Sequence, residues 1–148
     1  MAASSEDPHP GLRFKYLEAS IDQATIDEDS TTCGSVIDCC RKVSIAVTAR
    51  MTFNAGATLD ATVHILSSPD NTNWDTIDYA TITVPCNPDN EVQITRPINA
   101  AARYFKACVE NDEEAQSGYT LTDTNVDFAI LGADEKDNFV VDQDQKYS

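Results

Sequence analysis

The stretch Val43-Ser44-Ile45-Ala46-Val47-Thr48 decides the fold. Val43, Ile45 and Val47 share one parity, and Ser44, Ala46 and Thr48 take the other. That is the period-two pattern of a half-buried strand, because successive side chains on an extended chain point to opposite faces. The pattern continues to about Phe53 and ends at the turn Asn54-Ala55-Gly56. Leu59, Ala61, Val63 and Ile65 then form a second inward row, with Asp60, Thr62 and His64 opposite. The following segment, Ser67-Ser68-Pro69-Asp70-Asn71-Thr72-Asn73, is dense in turn formers. A strand on each side of it makes a hairpin.

Outward from this pair the same grammar repeats. Residues 74–84 read as the next strand, with a parity change that predicts a bulge near Ala80–Thr81. Val92 and Ile94 mark a short strand stopped by Pro97. Phe105, Ala107 and Val109 mark another. Tyr119, Leu121, Val126, Phe128 and Ile130 form the last, with a second parity change at residues 123–125. Leu12 to Glu18 alternates loosely as a first strand, and residues 21–35 read as an acidic loop. Seven to eight short strands with turn signals between them predict an all-β, antiparallel sandwich of jelly-roll type. The expected organisation is a flexible arm over 1–11, a sandwich over 12–131 and an acidic tail over 132–148. Within the tail, Phe139, Val140 and Val141 form an apolar island that could dock as an added strand.

Ten basic residues against twenty-five acidic ones give a net charge of −15. Such a surface repels phosphate backbones and anionic membranes, so nucleic acid and membrane are not expected partners. The first ten residues lack the basic and apolar regions of a secretory signal, which predicts synthesis in a cytoplasm. Five cysteines stand at 33, 39, 40, 86 and 108. An odd number, no C-x-x-C and no export signal predict buried thiols rather than a disulfide scaffold.

No catalytic, cofactor or metal set is legible. Catalysis needs a nucleophile with a base, paired carboxylates or a metal cluster. His64 has no partner motif nearby in sequence and reads as a surface histidine, and His9 lies among prolines. Asn71, Asn73 and Asp75 alternate as calcium ligands do, but the glycine and glutamate of an EF-hand loop are missing, so a tight turn is the better reading. Trp74, the only tryptophan, either caps the core or joins Tyr79 and Tyr104 in a platform for a sugar ring.

The hairpin Ala61-Thr62-Val63-His64-Ile65-Leu66 followed by Ser67-Ser68-Pro69-Asp70-Asn71-Thr72-Asn73-Trp74-Asp75 resembles the strand, S-x-D-G-x-x-W, strand unit of small β-sandwich proteins of tailed bacteriophages. The later Ala102-Arg103-Tyr104-Phe105-Lys106-Ala107-Cys108-Val109-Glu110-Asn111 resembles the strand that often follows it. This chain carries Asn71 where glycine is common. The resemblance spans about 42–131. It implies a non-enzymatic virion protein, in first place a capsid decoration or cement protein that bridges capsid subunits on the outer head. It implies the major capsid protein or another virion protein as partner, and a homo-oligomer, most simply a trimer. The alternative it leaves open is a carbohydrate- or receptor-binding module of a tail, neck or surface adhesin.

Overall fold

The computed structural model describes residues 14–39, 42–99 and 101–132. The residues described are all-β, in nine strands. These are β1 (Phe14–Ile26), β2 (Ser30–Cys33), β3 (Ile37–Asp38), β4 (Lys42–Phe53), β5 (Ala61–Ser68), β6 (Ala80–Val84), β7 (Glu91–Ile98), β8 (Tyr104–Asn111) and β9 (Leu121–Gly132). One sheet has the order β1-β9-β4-β7. The other has the order β2-β8-β5-β6, with β3 also paired to β8. All pairings are antiparallel. The sandwich expected from the sequence is the fold observed. The arm over 1–11 and the island Phe139, Val140 and Val141 lie outside the described residues.

The inward rows meet between the sheets. Val47, Val63, Ile65, Phe105, Ala107, Val109, Val126 and Phe128 have no exposed surface. Phe105 and Phe128 stack across the sheets at 6.3 Å between ring centres. Burying a large apolar side chain of this kind contributes about 1.5–3 kcal/mol. These contacts are therefore the main support of the fold.

Three departures from the sequence reading have physical causes. First, residues 21–35 are not one acidic loop. β1 runs on to Ile26 because Gln23 takes a left-handed turn (φ 56°) opposite the irregular part of β9, where Asp123 is also left-handed (φ 50°). The Gln23 N–H donates to the Asn125 side chain at 3.0 Å. The β9 parity change foreseen at 123–125 is thus a bulge shared by two strands. Second, the strand read over 74–84 is only β6. Residues 69–79 are a long connection, and no bulge at Ala80–Thr81 is needed, because Ala80 to Val84 pairs with β5 in unbroken register. Third, β7 continues through Pro97 to Ile98. It is an edge strand, where a missing N–H can face outward. Leu59, placed inward by its parity, is 44% exposed before β5 begins.

The cysteine expectation is corrected as well. Cys33 and Cys108 form a disulfide between directly paired positions of β2 and β8. The 75-residue separation hid this pairing from a reading of local spacing. Cys39 is buried, and its N–H donates to the Arg103 carbonyl at 2.5 Å. Cys86 is a free thiol, partly buried.

Candidate functional site

The outward face of the five-stranded sheet concentrates the polar and aromatic chemistry. On β5 the inward row Ala61, Val63, Ile65 leaves Thr62, His64 and Leu66 outside. On β8 the inward row Phe105, Ala107, Val109 leaves Tyr104, Lys106 and Glu110 outside, with Cys108 on the same side but buried. Register then places His64 between Thr81 of β6 and Cys108 of β8, with Cys33 beyond Cys108.

His64 bridges two carboxylates. Nδ1 lies 2.5 Å from Asp78 Oδ2, and Nε2 lies 2.8 Å from Glu110 Oε1. Asp78 comes from the 69–79 connection, so the imidazole ties that connection to the sheet. Burial by itself would lower the pKa of His64, but the bonds to Asp78 and Glu110 and their charges outweigh it and raise it above 6.5. The same bond to His64 lowers the pKa of Asp78, helped by the Thr81 hydroxyl, which donates at 3.0 Å. Glu110 is lowered first by His64 and then by its hydrogen bond with Asp112. Asp112 is raised by burial and by sharing that bond with Glu110.

The connection is internally bonded. The Ser68 hydroxyl donates to the Asn73 carbonyl at 2.7 Å and accepts the Asn71 N–H at 2.9 Å. Asp70 accepts the N–H groups of Thr72 and Asn73 at 2.9 and 2.8 Å and the Asn73 side-chain amide at 2.7 Å. Asp75 accepts the Ser67 hydroxyl at 2.9 Å. Of the residues considered as calcium ligands, Asp75 accepts from Ser67 and Asn73 donates its amide to Asp70, so both are engaged in holding the turn together. Asn71 stands at φ 62°, where the related pattern has glycine. Asparagine is among the few side chains that visit this region readily. Asp75, Thr76, Ile77, Asp78 and Tyr79 line a surface depression of about 410 Å³, and Ile77 beside it is 80% exposed.

Each of the three aromatic residues considered for a platform has a contact of its own. The Lys106 ammonium sits 4.5 Å above the Trp74 ring. The Arg103 guanidinium sits 4.9 Å above the Tyr104 ring. Tyr79 packs edge-on against Phe105 at 5.0 Å, and its hydroxyl donates to the Asn99 carbonyl at 2.5 Å. The His64 bridge escaped the sequence reading because its partners lie 14 and 46 residues away. Strand parity was the only signal, since it put His64 and Glu110 on outward rows.

No protein-family model matches the chain, and no curated protein sequence matches it. Solved structures resemble it distantly. A chain of the Bacillus endospore appendages, described as disulfide-linked pili, is 10% identical with a TM-score of 0.41, over 90% of this chain and 100% of the other. A chain of the T13 infectious bursal disease virus particle is 12% identical with a TM-score of 0.49, over 88% of this chain. The present chain spans only 36% of that viral chain. A protein described under CBM4 structure and function is 15% identical with a TM-score of 0.45, over 80% of this chain and 78% of the other. Likeness at this level concerns the path of the backbone and assigns no ligand or partner.

Proposed function

We propose that this chain is a non-enzymatic structural protein, a rigid sandwich that forms an exposed part of an assembled particle. The observation that carries the reading is how its buried polar groups are used. Ser20, Ser68, Asn111, Glu113 and Asn125 are buried, and each bonds backbone groups of a neighbouring segment or turn. Ser20 donates to the Ser35 carbonyl and accepts the Ala107 N–H. Asn111 donates to the carbonyls of Ile26 and Tyr119. Networks satisfied in this way fix one arrangement of loops and strands. They suit a component whose surface must hold its shape.

Two further properties support it. A disulfide joining β2 to β8 fits residence in an oxidising medium, as for a released particle or a cell exterior. A charge of −15 keeps an exposed subunit soluble and free of nucleic acid. Within this reading, and on the sequence resemblance, the chain is a capsid decoration protein of a tailed phage, acting as an oligomer on the major capsid protein. The test is mass spectrometry of purified particles from the producing culture. A fixed copy number per particle is expected, with lower occupancy when residues 133–148 are removed. Absence of the chain from intact particles would overturn the proposal.

A further inference from the structure

The contacts of His64 fix its proton count. A carboxylate only accepts hydrogen bonds, and a neutral imidazole has one N–H to give. Yet both ring nitrogens lie within hydrogen-bonding distance of carboxylate oxygens, Asp78 on one side and Glu110 on the other. Both bonds exist together only when both nitrogens carry protons. Once one proton leaves, a nitrogen lone pair faces a carboxylate lone pair across the same short gap.

The two sides of the bridge do not yield equally. Glu110 stands on β8, which is bonded to β5 on one side and to β2 on the other. Asp78 stands in the 69–79 connection, whose backbone reaches the sheet through Asp75 N–H to the Ser67 carbonyl and Tyr79 N–H to the Ile65 carbonyl. The repulsion is therefore relieved by movement of the connection. We propose that His64 is a pH-operated latch: its imidazolium clamps the 69–79 connection to the five-stranded sheet, and loss of one ring proton releases it. The groups around the ring support this direction. Asp78 and Thr81 face it from the connection and β6, and Cys108 and Glu110 from β8. Asp112 and, farther off, Asp29 add negative charge, while the Lys106 ammonium is engaged over Trp74. Carboxylates thus dominate the surroundings and favour the charged ring. The released segment carries Trp74 and Ile77, while Tyr79 at its end stays packed on Phe105, so any contact made through Trp74 and Ile77 weakens in alkaline medium. This inference stands whether or not the chain belongs to a particle.

The test is a paired NMR experiment on the full chain. The protein has two histidines, His9 and His64, so a His64→Gln variant assigns the ring signals. Nitrogen-15 spectra at about pH 6 should show both His64 ring nitrogens protonated, and titration should place its midpoint above 6.5. Amide exchange at Asp75, corrected for its intrinsic pH dependence, should rise up to about tenfold per pH unit from 6.5 to that midpoint and then level off. In His64→Gln the corrected exchange should be flat. In Asp78→Asn it should also be flat, because the side-chain amide can donate to a neutral ring. A midpoint at or below 6.5, or the same exchange profile in wild type and both variants, would overturn the latch.

Discussion

Glu113 and Thr58, 55 residues apart, are bonded twice through one carboxylate: Oε2 accepts the Thr58 N–H at 2.7 Å and Oε1 accepts the Thr58 hydroxyl at 2.9 Å. Oε2 also takes the Leu59 N–H at 2.7 Å. Glu113 is only 4% exposed, so these three donors stand in for its lost water. The carboxylate joins the segment after β8 to the turn that leads into β5. Hydrogen bonds to a buried charged group are worth about 1.5–3 kcal/mol each, and their loss strands the donors. Glu113→Ala should therefore cost about 2–4 kcal/mol in urea unfolding, and Glu113→Gln less, since its amide keeps one accepting oxygen. A cost below about 0.5 kcal/mol for the alanine variant would show that the turn is held by other contacts.

How much of this was legible in the chain can be argued from particular residues. Ile45, Val47, Val63, Ile65, Phe105 and Phe128 announced their faces because alternation is a local property, and all six are buried. The β9 bulge was visible for the same reason. What stayed hidden depends on pairing at a distance. β2 is four residues of mixed Ser, Thr and Cys, with no buried row of its own. It is a strand because β8 offers it a partner and Cys108 bonds Cys33. The connection 69–79 was misjudged in the opposite sense. Read as part of a strand over 74–84, Ile77 shares an inward parity with Tyr79, but the hydrogen bonds of Asp70 and Ser68 shape a turn and Ile77 stands in solvent. His64 reads as an ordinary surface residue until the sheet brings Glu110 alongside.

The Cys33–Cys108 bond should be both detectable and stabilising. It closes a loop of 75 residues, which restricts the unfolded chain, and native disulfides typically add about 2–4 kcal/mol. A non-reduced digest should yield a peptide pair joining Cys33 to Cys108, distinct from any containing Cys86. The double variant Cys33→Ala/Cys108→Ala should lower the melting temperature, and reductant should then have no further effect on the melt. Identical melting of wild type and double variant would mean that the bond contributes nothing to the folded state.

Gly34 is predicted to be intolerant of a side chain for a steric reason. A Cβ there would lie 2.0 Å from the Ser20 carbonyl oxygen and 2.6 Å from Ile21 Cγ1. The Ser20 oxygen cannot retreat, because it accepts the Ser35 N–H at 2.7 Å, while Gly34 itself donates to Ala107 at 2.9 Å. Gly34→Ala should cost about 2 kcal/mol or more, as overpacking against fixed backbone does. Gly118 provides the contrast. It has a left-handed φ of 78° and open space around its Cα, so Gly118→Ala should cost about 1–2 kcal/mol from conformation alone. Equal and negligible effects in chemical denaturation would refute the close approach of β1 and the residue after β2.

The pH dependence of stability should peak in mildly acidic solution. His64 has a raised pKa, so its contribution is complete below 6.5 and is lost as pH rises through the raised value. Asp70, Asp78 and Glu110 have lowered values. Asp70 owes this chiefly to the N–H groups of Asn73 and Thr72, and the other two chiefly to His64. Their contribution is present above their ordinary values of 3.8 and 4.5 and is lost as pH falls through the lowered ones. Asp112 and Asp127 are raised, both mainly by burial, and act in the opposite sense, gaining as they protonate near 3.8 and above. Neutralising part of the −15 charge also relieves self-repulsion on the acid side. The acid limb should therefore be shallow and the alkaline limb distinct, with the optimum between 4.5 and 6.5. Urea midpoints on both sides of that range should show the alkaline limb disappear in His64→Gln and the acid limb shrink to the part carried by Asp70, whose partners are Asn73 and Thr72. An alkaline limb that survives the substitution would assign it to another group and break the connection between His64 and the stability of this face.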